Sequence, residues 1–346
     1  MTTLPLSVLD LSPVGSGSSS PQALRNTLDL ARLVDGLGYT RYWLAEHHNI
    51  PSIASSAPEI LIGHVAAETT RIRVGSGGIM LPNHTPLKVV ETFRVLEALH
   101  PGRIDLGIGR APGTDQLTAL ALRRSTEALR ADDFPEQLAE MFAFANDGFP
   151  ADHPFRAITA TPNDVPLPPV WLLGSSGFGA QLAASLGLGF AFAHHINPAG
   201  AIPAMHAYRA GFTPSASLEK PWAILGMSVV CADTDTDARY LAASLDLALL
   251  RIRTNRRGPL PTPEEALAYP YTPAERAQIE ALRSTYTAGS PATVKAKIEA
   301  LVAATGADEV MILTTIHDHA ARRHSYELLA AAFGLRPFTP VVEDAA

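Results

Sequence analysis

The stretch RIRVGSGGIMLPNHTPLKVVETFRVLEALHPGRIDLGIGR, residues 71–110, contains one complete structural unit. It opens on RIRVGSGG (71–78), a short apolar run that reads as a strand. It continues as TPLKVVETFRVLEALHPG (85–102), with apolar residues at helical spacing and a Pro-Gly stop. It returns as RIDLGIG (103–109), a second strand. Strand, helix and strand in that order predict a parallel βαβ unit.

The same alternation extends in both directions. Strands are expected at 4–11, 40–46, 169–175, 188–195, 221–232 and 308–315. Helices follow at 21–38, 57–70, 176–187, 199–211, from about 235 to 254, 290–306 and 317–334. Ser20 is the expected N-cap of the first, ahead of Pro21. Eight strands, each with a helix after it, predict an α/β fold of the (β/α)8 TIM-barrel type, with insertions in its βα loops. A doubly wound open sheet is the alternative, but no nucleotide fingerprint accompanies it. The whole chain, 1–346, reads as a single barrel domain. Segments near 110–168 and 255–290 read as lid-like insertions, with 255–273 Pro-rich and loop-like.

Composition excludes several function classes. The chain has 346 residues, 47% hydrophobic and 18% charged, enough for a large core. Its net charge of -7, with 23 arginines and four lysines scattered along it, argues against nucleic acid as a partner. A single cysteine, Cys231, excludes an intrachain disulfide and a multi-thiolate metal site. No signal peptide and no apolar run long enough for a membrane span are expected, which leaves the cytoplasm as the default.

In a barrel the chemistry lies at the C-terminal strand ends. The first strand ends at Asp10, either a polar contact at the mouth or a turn former. The second ends in Glu46, His47, His48 and Asn49. A metal reading is weak because the H-E-x-x-H spacing is absent and adjacent strand side chains face opposite ways. One histidine suited to proton transfer is the better reading. The third strand ends in Gly75, Gly77 and Gly78. A P-loop would need a lysine, and a dinucleotide fingerprint would need glycine where Met80 stands. What remains is a bare patch against which a planar ring can lie. Arg110 is the first charge past the fourth strand, suited to a phosphate or paired with an acid such as Asp115. Gly174, Ser175, Ser176, Gly177 and Phe178 lead from the fifth strand into a helix, where free N–H groups suit an anion. The rival reading there is a plain serine cap. His194, His195 and Ile196 end the sixth strand beside that cup.

These strand ends, in this order, resemble the bacterial luciferase-like monooxygenases, closest to their FMN-type subfamily. The resemblance is carried by RYWLAEHHN, by the central stretch above continued to APGTD, and by WLLGSS and DEVMILTT. It implies a flavin at the barrel mouth. His47 matches the active-site histidine, and Gly77–Gly78 matches a non-prolyl cis peptide against the flavin ring. Arg110 matches an arginine near the flavin phosphate, and Gly174 to Phe178 the phosphate loop. The chain departs from luciferase at Gly109, where luciferase has a cysteine near the flavin. A second phosphate arginine has only Arg123 and Arg124 as candidates, by neighbourhood. Long-chain aldehydes and light emission are therefore not implied.

The implied activity is a monooxygenase that uses O2 and reduced FMN from a separate flavin reductase on a small-molecule substrate. The family's habit implies a homodimer. Three rivals stand beside it: an F420-dependent dehydrogenase on the same fold, a non-catalytic flavin-binding protein, and a metal-dependent hydrolase built on the histidine pairs.

Overall fold

The computed structural model describes residues 4–130 and 132–337. Eight parallel strands form a closed barrel: β1 (Leu6–Asp10), β2 (Arg41–Leu44), β3 (Arg73–Ser76), β4 (Ile104–Gly109), β5 (Val170–Gly174), β6 (Gly189–Ala193), β7 (Ala223–Cys231) and β8 (Glu309–Leu313). Closure comes from β8, which pairs with both β7 and β1. Two further strands lie outside this ring: Ile79–Met80 pairs with β4, and Tyr286–Gly289 extends along the C-terminal half of β7. The expected (β/α)8 TIM barrel is the observed fold.

Local sequence explains the elements. The barrel strands are buried on both faces, as parallel strands under a helical layer must be. Helix Ser20–Leu37 starts at an N-cap and stops at Gly38, whose φ of 88° only glycine adopts freely. The cap is Ser19, accepting from Gln22 N–H, one residue before the expected Ser20. The segment 255–273 is less loop-like than its prolines suggested. Helix Pro263–Ala268 lies within it and Pro273–Leu282 follows. Each opens on a capping box, Thr262 with Glu265 and Thr272 with Glu275. Within 110–168, helix Phe134–Ala145 buries Phe134, Leu138, Met141 and Phe144 in the main core.

Asp10 does not face the mouth. It turns outward, fully buried, and accepts from Arg322 Nη2 at 2.7 Å, from Ser12 N–H and from the Tyr42 hydroxyl. Burial alone would raise its pKa; Arg322 and these donors reverse that and hold it below the usual range. Asp10 thus ties β1 to the last helix, His319–Phe333.

The lumen is filled in layers. At its base Arg41 reaches across to Asp105 at 2.7 Å and to Glu309 at 3.0 Å. Arg73 holds the second oxygen of Asp105 at 2.7 Å, and Ser7, Trp43 and Trp222 supply the remaining donors. Both carboxylates are fully buried, and two guanidiniums balance them. Above lie Leu9, Trp43, Trp171, Ala191, Ile224 and Met311, with the two indoles edge-on at 5.7 Å.

β3 and β4 meet with almost no space between them. A Cβ on Gly75 would stand 2.5 Å from the Asp105 carbonyl oxygen, and one on Gly78 2.8 Å from that of Gly107. One on Gly107 would stand 2.0 Å from the Ser76 carbonyl oxygen. These are backbone atoms, so each position is confined to glycine. The register also slips: Gly75 pairs with Asp105 but Ile79 with Ile108, so residues 76–78 oppose only 106–107. The Gly77–Gly78 peptide inside this bulge is cis. The Ser76 hydroxyl repairs the interrupted ladder, donating to the Gly107 carbonyl at 2.8 Å and accepting its N–H at 3.0 Å. Ser76→Ala should therefore remove both bonds to Gly107, leave its buried N–H unpaired, and lower stability by about 1–3 kcal/mol. Urea unfolding followed by circular dichroism measures this; an unchanged midpoint would show that the bulge needs no repair.

Candidate functional site

Glu46, just past β2, organises the mouth. It is fully buried. Its Oε1 accepts from His48 Nε2 at 2.9 Å, and its Oε2 from Met80 N–H at 2.8 Å and His84 Nε2 at 2.9 Å. Asn83 Nδ2 adds a bond at 3.3 Å. Burial would raise its pKa, but the bonds from His84, His48 and Met80 hold it below the usual carboxylate range. His84 is shifted the opposite way: burial lowers its pKa, and the Glu46 carboxylate more than offsets that. One carboxylate thus fixes the end of β2 to the turn after β3. Of the histidines at adjacent positions, only His48 contacts this carboxylate, beside His84 from the turn after β3.

His47 is left over from that network. Its Nδ1 is buried with no hydrogen-bond partner. Burial pushes its pKa down to about 4, against a partial pull upward from Glu46, with His195 and His48 pushing the same way as burial. It is a neutral imidazole at neutral pH, with a nitrogen that the protein leaves unsatisfied. His195 is close enough to influence it and is also lowered by burial. The alternation expected from a strand holds: His48 turns to Glu46, and His47 does not.

The glycines of the mouth fall into two kinds. Gly77 and Gly78 are bare because the chain itself fills the space. A Cβ on Gly77 would meet Leu9 Cδ1 at 2.6 Å and Trp43 Cβ at 3.1 Å. Packing thus accounts for the bare patch without any ligand, unlike the reading from sequence. At the end of β5 the opposite holds. A Cβ on Gly177 would meet nothing within 4 Å, and one on Gly174 only ordinary contacts at 3.7 Å. Neither residue has the positive φ that favours glycine. Nothing in the fold requires a bare backbone there.

That β5 loop leads into helix Gly177–Ser185. Ser176 occupies the N-cap position but makes no capping bond, and no acidic residue lies in the first turn. The plain serine-cap reading therefore fails, and the first N–H groups lack that partner. Asn197 Nδ2 fixes the loop by donating to the Ser175 carbonyl at 2.8 Å. Arg110 comes to the same place: its guanidinium stacks on the Phe178 ring at 4.5 Å. Its ion pair with exposed Asp132, at 3.5 Å, is weak, and Asp115 is not its partner. Arg123 instead donates to Asn83 Oδ1 at 3.3 Å, and exposed Arg124 ends its helix with a φ of 67°.

Asp115 joins the two insertions. It accepts from Arg257 at 3.0 Å and from Asn49 at 2.9 Å, and caps helix Gln116–Arg123. These donors, led by Thr118 N–H, hold its carboxyl far below the usual range. The roles of Asp115, Asn83 and His84 were not read from the sequence. The polar PNHTP stretch directly after the mouth glycines was the available signal for the last two.

The model of the luciferase-like monooxygenase family matches residues 4–309 of the chain. A luciferase-like monooxygenase of Escherichia coli strain K12 is 46% identical over 326 residues, 94% of this chain and 96% of that protein. An N-acetyl-S-alkylcysteine monooxygenase of Bacillus subtilis strain 168 is 36% identical over 335 residues, 94% of this chain and 97% of that one. The crystal structure of apo-MsnO8 superposes with a TM-score of 0.88 at 40% identity, covering 97% of this chain and 99% of that one.

A neutral, unpartnered His47 has a measurable signature. In a histidine NMR titration its resonances should stay those of a neutral ring through pH 6 and move only near pH 4. The unfolded chain would take up that proton near pH 6.5, so stability falls as pH drops from there towards 4. A His47 midpoint near 6.5 would show that the burial is not felt.

Proposed function

The chain belongs to the luciferase-like monooxygenase family, and from that premise we propose that it is an FMN-dependent monooxygenase. On this reading it takes reduced FMN from a separate reductase, and O2, to oxidise a small organic molecule. The observation that carries the reading is the β5 loop. Its glycines are bare without a packing reason, its helix start is uncapped, and Arg110 stands beside it. That donor set fits a phosphate.

Gly174, Ser175, Ser176, Gly177 and Phe178 would hold the FMN phosphate with Arg110, and Gly77–Gly78 would underlie the ring. Bound FMN would supply the reaction with O2. His47 would hold or move a proton at Nδ1, the atom the protein leaves free. The segments near 110–168 and 255–290, tied through Asp115 and Arg257, would limit water at the mouth. The Bacillus relative is named for N-acetyl-S-alkylcysteine, so a small N-acylated thioether is the first substrate to try. We place the activity in the cytoplasm; among the described residues no helix is long and apolar enough to cross a membrane.

The same reading includes a homodimer. Helices Pro58–Glu68 and Pro86–Leu99 expose Ile60, Val95 and Leu99, at 70, 46 and 67%. Such residues suit a second copy of this chain. Ile60→Asp should convert the dimer to monomer in sedimentation velocity; a wild-type monomer would remove the proposal.

The cofactor is tested by titration. Arg110→Ala should raise the Kd for FMN about tenfold to a hundredfold, since one bond to a charged group contributes about 1.5–3 kcal/mol. Riboflavin, which lacks the phosphate, should bind both proteins alike. Wild-type protein should consume O2 when given reduced FMN and N-acetyl-S-methylcysteine. Binding of F420 in place of FMN would overturn the assignment.

A further inference from the structure

We propose that His195 is a hydrogen-bond acceptor for a ligand bound at the mouth, a role that rests on reading the mouth as a flavin monooxygenase site. Three observations carry it. The first is position. Gly226 on β7 continues the inward-facing series that includes Ile224 of the lumen cluster. A Cβ on Gly226 would lie 3.6 Å from His195 Cε1 and Nδ1. The imidazole therefore lies against the bare lumenal side of β7.

The second is the tautomer. His195 Nδ1 is 3.0 Å from the Gly226 carbonyl oxygen. A carbonyl only accepts, so Nδ1 carries the proton. In the neutral ring Nε2 is then a bare lone pair. Burial and the neighbouring His194 disfavour a second proton, against a partial pull from Gly226.

The third is vacancy of partners. No protein group hydrogen-bonds Nε2 among the described residues, and His47 close by leaves its own Nδ1 unmet. The His47 Nδ1 is buried, and such an atom without a partner is rare unless something else satisfies it; His195 Nε2 is not sealed off in this way, so a ligand at the mouth can reach it. What meets a fixed lone pair is an N–H or O–H donor. The flavin ring and an N-acylated thioether both present an N–H.

Selective 15N-histidine labelling, with His195→Gln used for assignment, reads the tautomer directly. The expected result in free protein at neutral pH is a protonated Nδ1 and a bare Nε2; a protonated Nε2 would overturn the proposal. FMN is then added, followed by N-acetyl-S-methylcysteine. Movement of the Nε2 resonance with FMN makes the flavin the donor, and movement only with the thioether makes the substrate the donor. If flavin fluorescence shows FMN bound but neither probe moves Nε2, His195 has no such role and the flavin reading stands. If the thioether moves Nε2 while FMN never binds, the acceptor role stands and the flavin reading falls. If neither binds, both fall. His195→Phe should weaken the probe that moved the signal about three- to tenfold. His195→Gln, which keeps an acceptor and a donor, should restore affinity to within about twofold. Equal losses in both variants would mark His195 as structural and overturn the proposal.

Discussion

Two strands that approach too closely for any side chain to stand between them set the geometry of this mouth. Gly75, Gly78 and Gly107 let β3 and β4 approach until backbone faces backbone. The one-residue slip follows from that approach, and the Ser76 hydroxyl makes the slip tolerable. Past the slip, Met80 is placed so that its N–H reaches Glu46. Glu46 in turn holds His48 and His84 and leaves His47 unengaged. The free imidazole is thus a downstream result of glycine packing a strand away.

Charge at the mouth is distributed with the same economy. The buried Glu46 carboxylate is saturated by donors; it draws the pKa of His84 up, but its pull on His47 does not offset burial. His47 and His195 stay neutral because they are buried without an acid of their own. Fixed positive charge lies outside them, at Arg110. An anionic group is thereby drawn to the rim, while the interior offers neutral nitrogen atoms to whatever ring or substrate lies deeper.

Much of this was legible in the sequence, and the limits have physical causes. Strand ends are short apolar runs closed by polar or glycine residues, so the eight-fold alternation and the positions of His47, Arg110 and the β5 loop could be read directly. Direction could not. Asp10 lies at a strand end like His47, yet a residue's parity within the strand decides which of them faces inward, and Asp10 faces out towards Arg322. Nor does a glycine reveal whether a ligand or a neighbouring strand requires it. Gly77 and Gly177 look alike as letters, but only the first is filled by Leu9 and Trp43. The helix inside the Pro-rich segment and the one that follows it had a readable signal: TPEE and TPAE each carry a threonine, a proline and a glutamate at capping-box spacing.

The charged layer of Arg41, Asp105, Glu309 and Arg73 closes the barrel from below, and the paired indoles above it seal what remains. The lower lumen is thus plugged by side chains, and molecules bound at the strand ends would lie above that plug. Such molecules would enter and leave on the mouth side. Two molecules that share such an opening queue: the one seated deeper enters first and departs last. Order of binding would then be dictated by the stopper at the bottom of the barrel, far from any residue that touches either molecule.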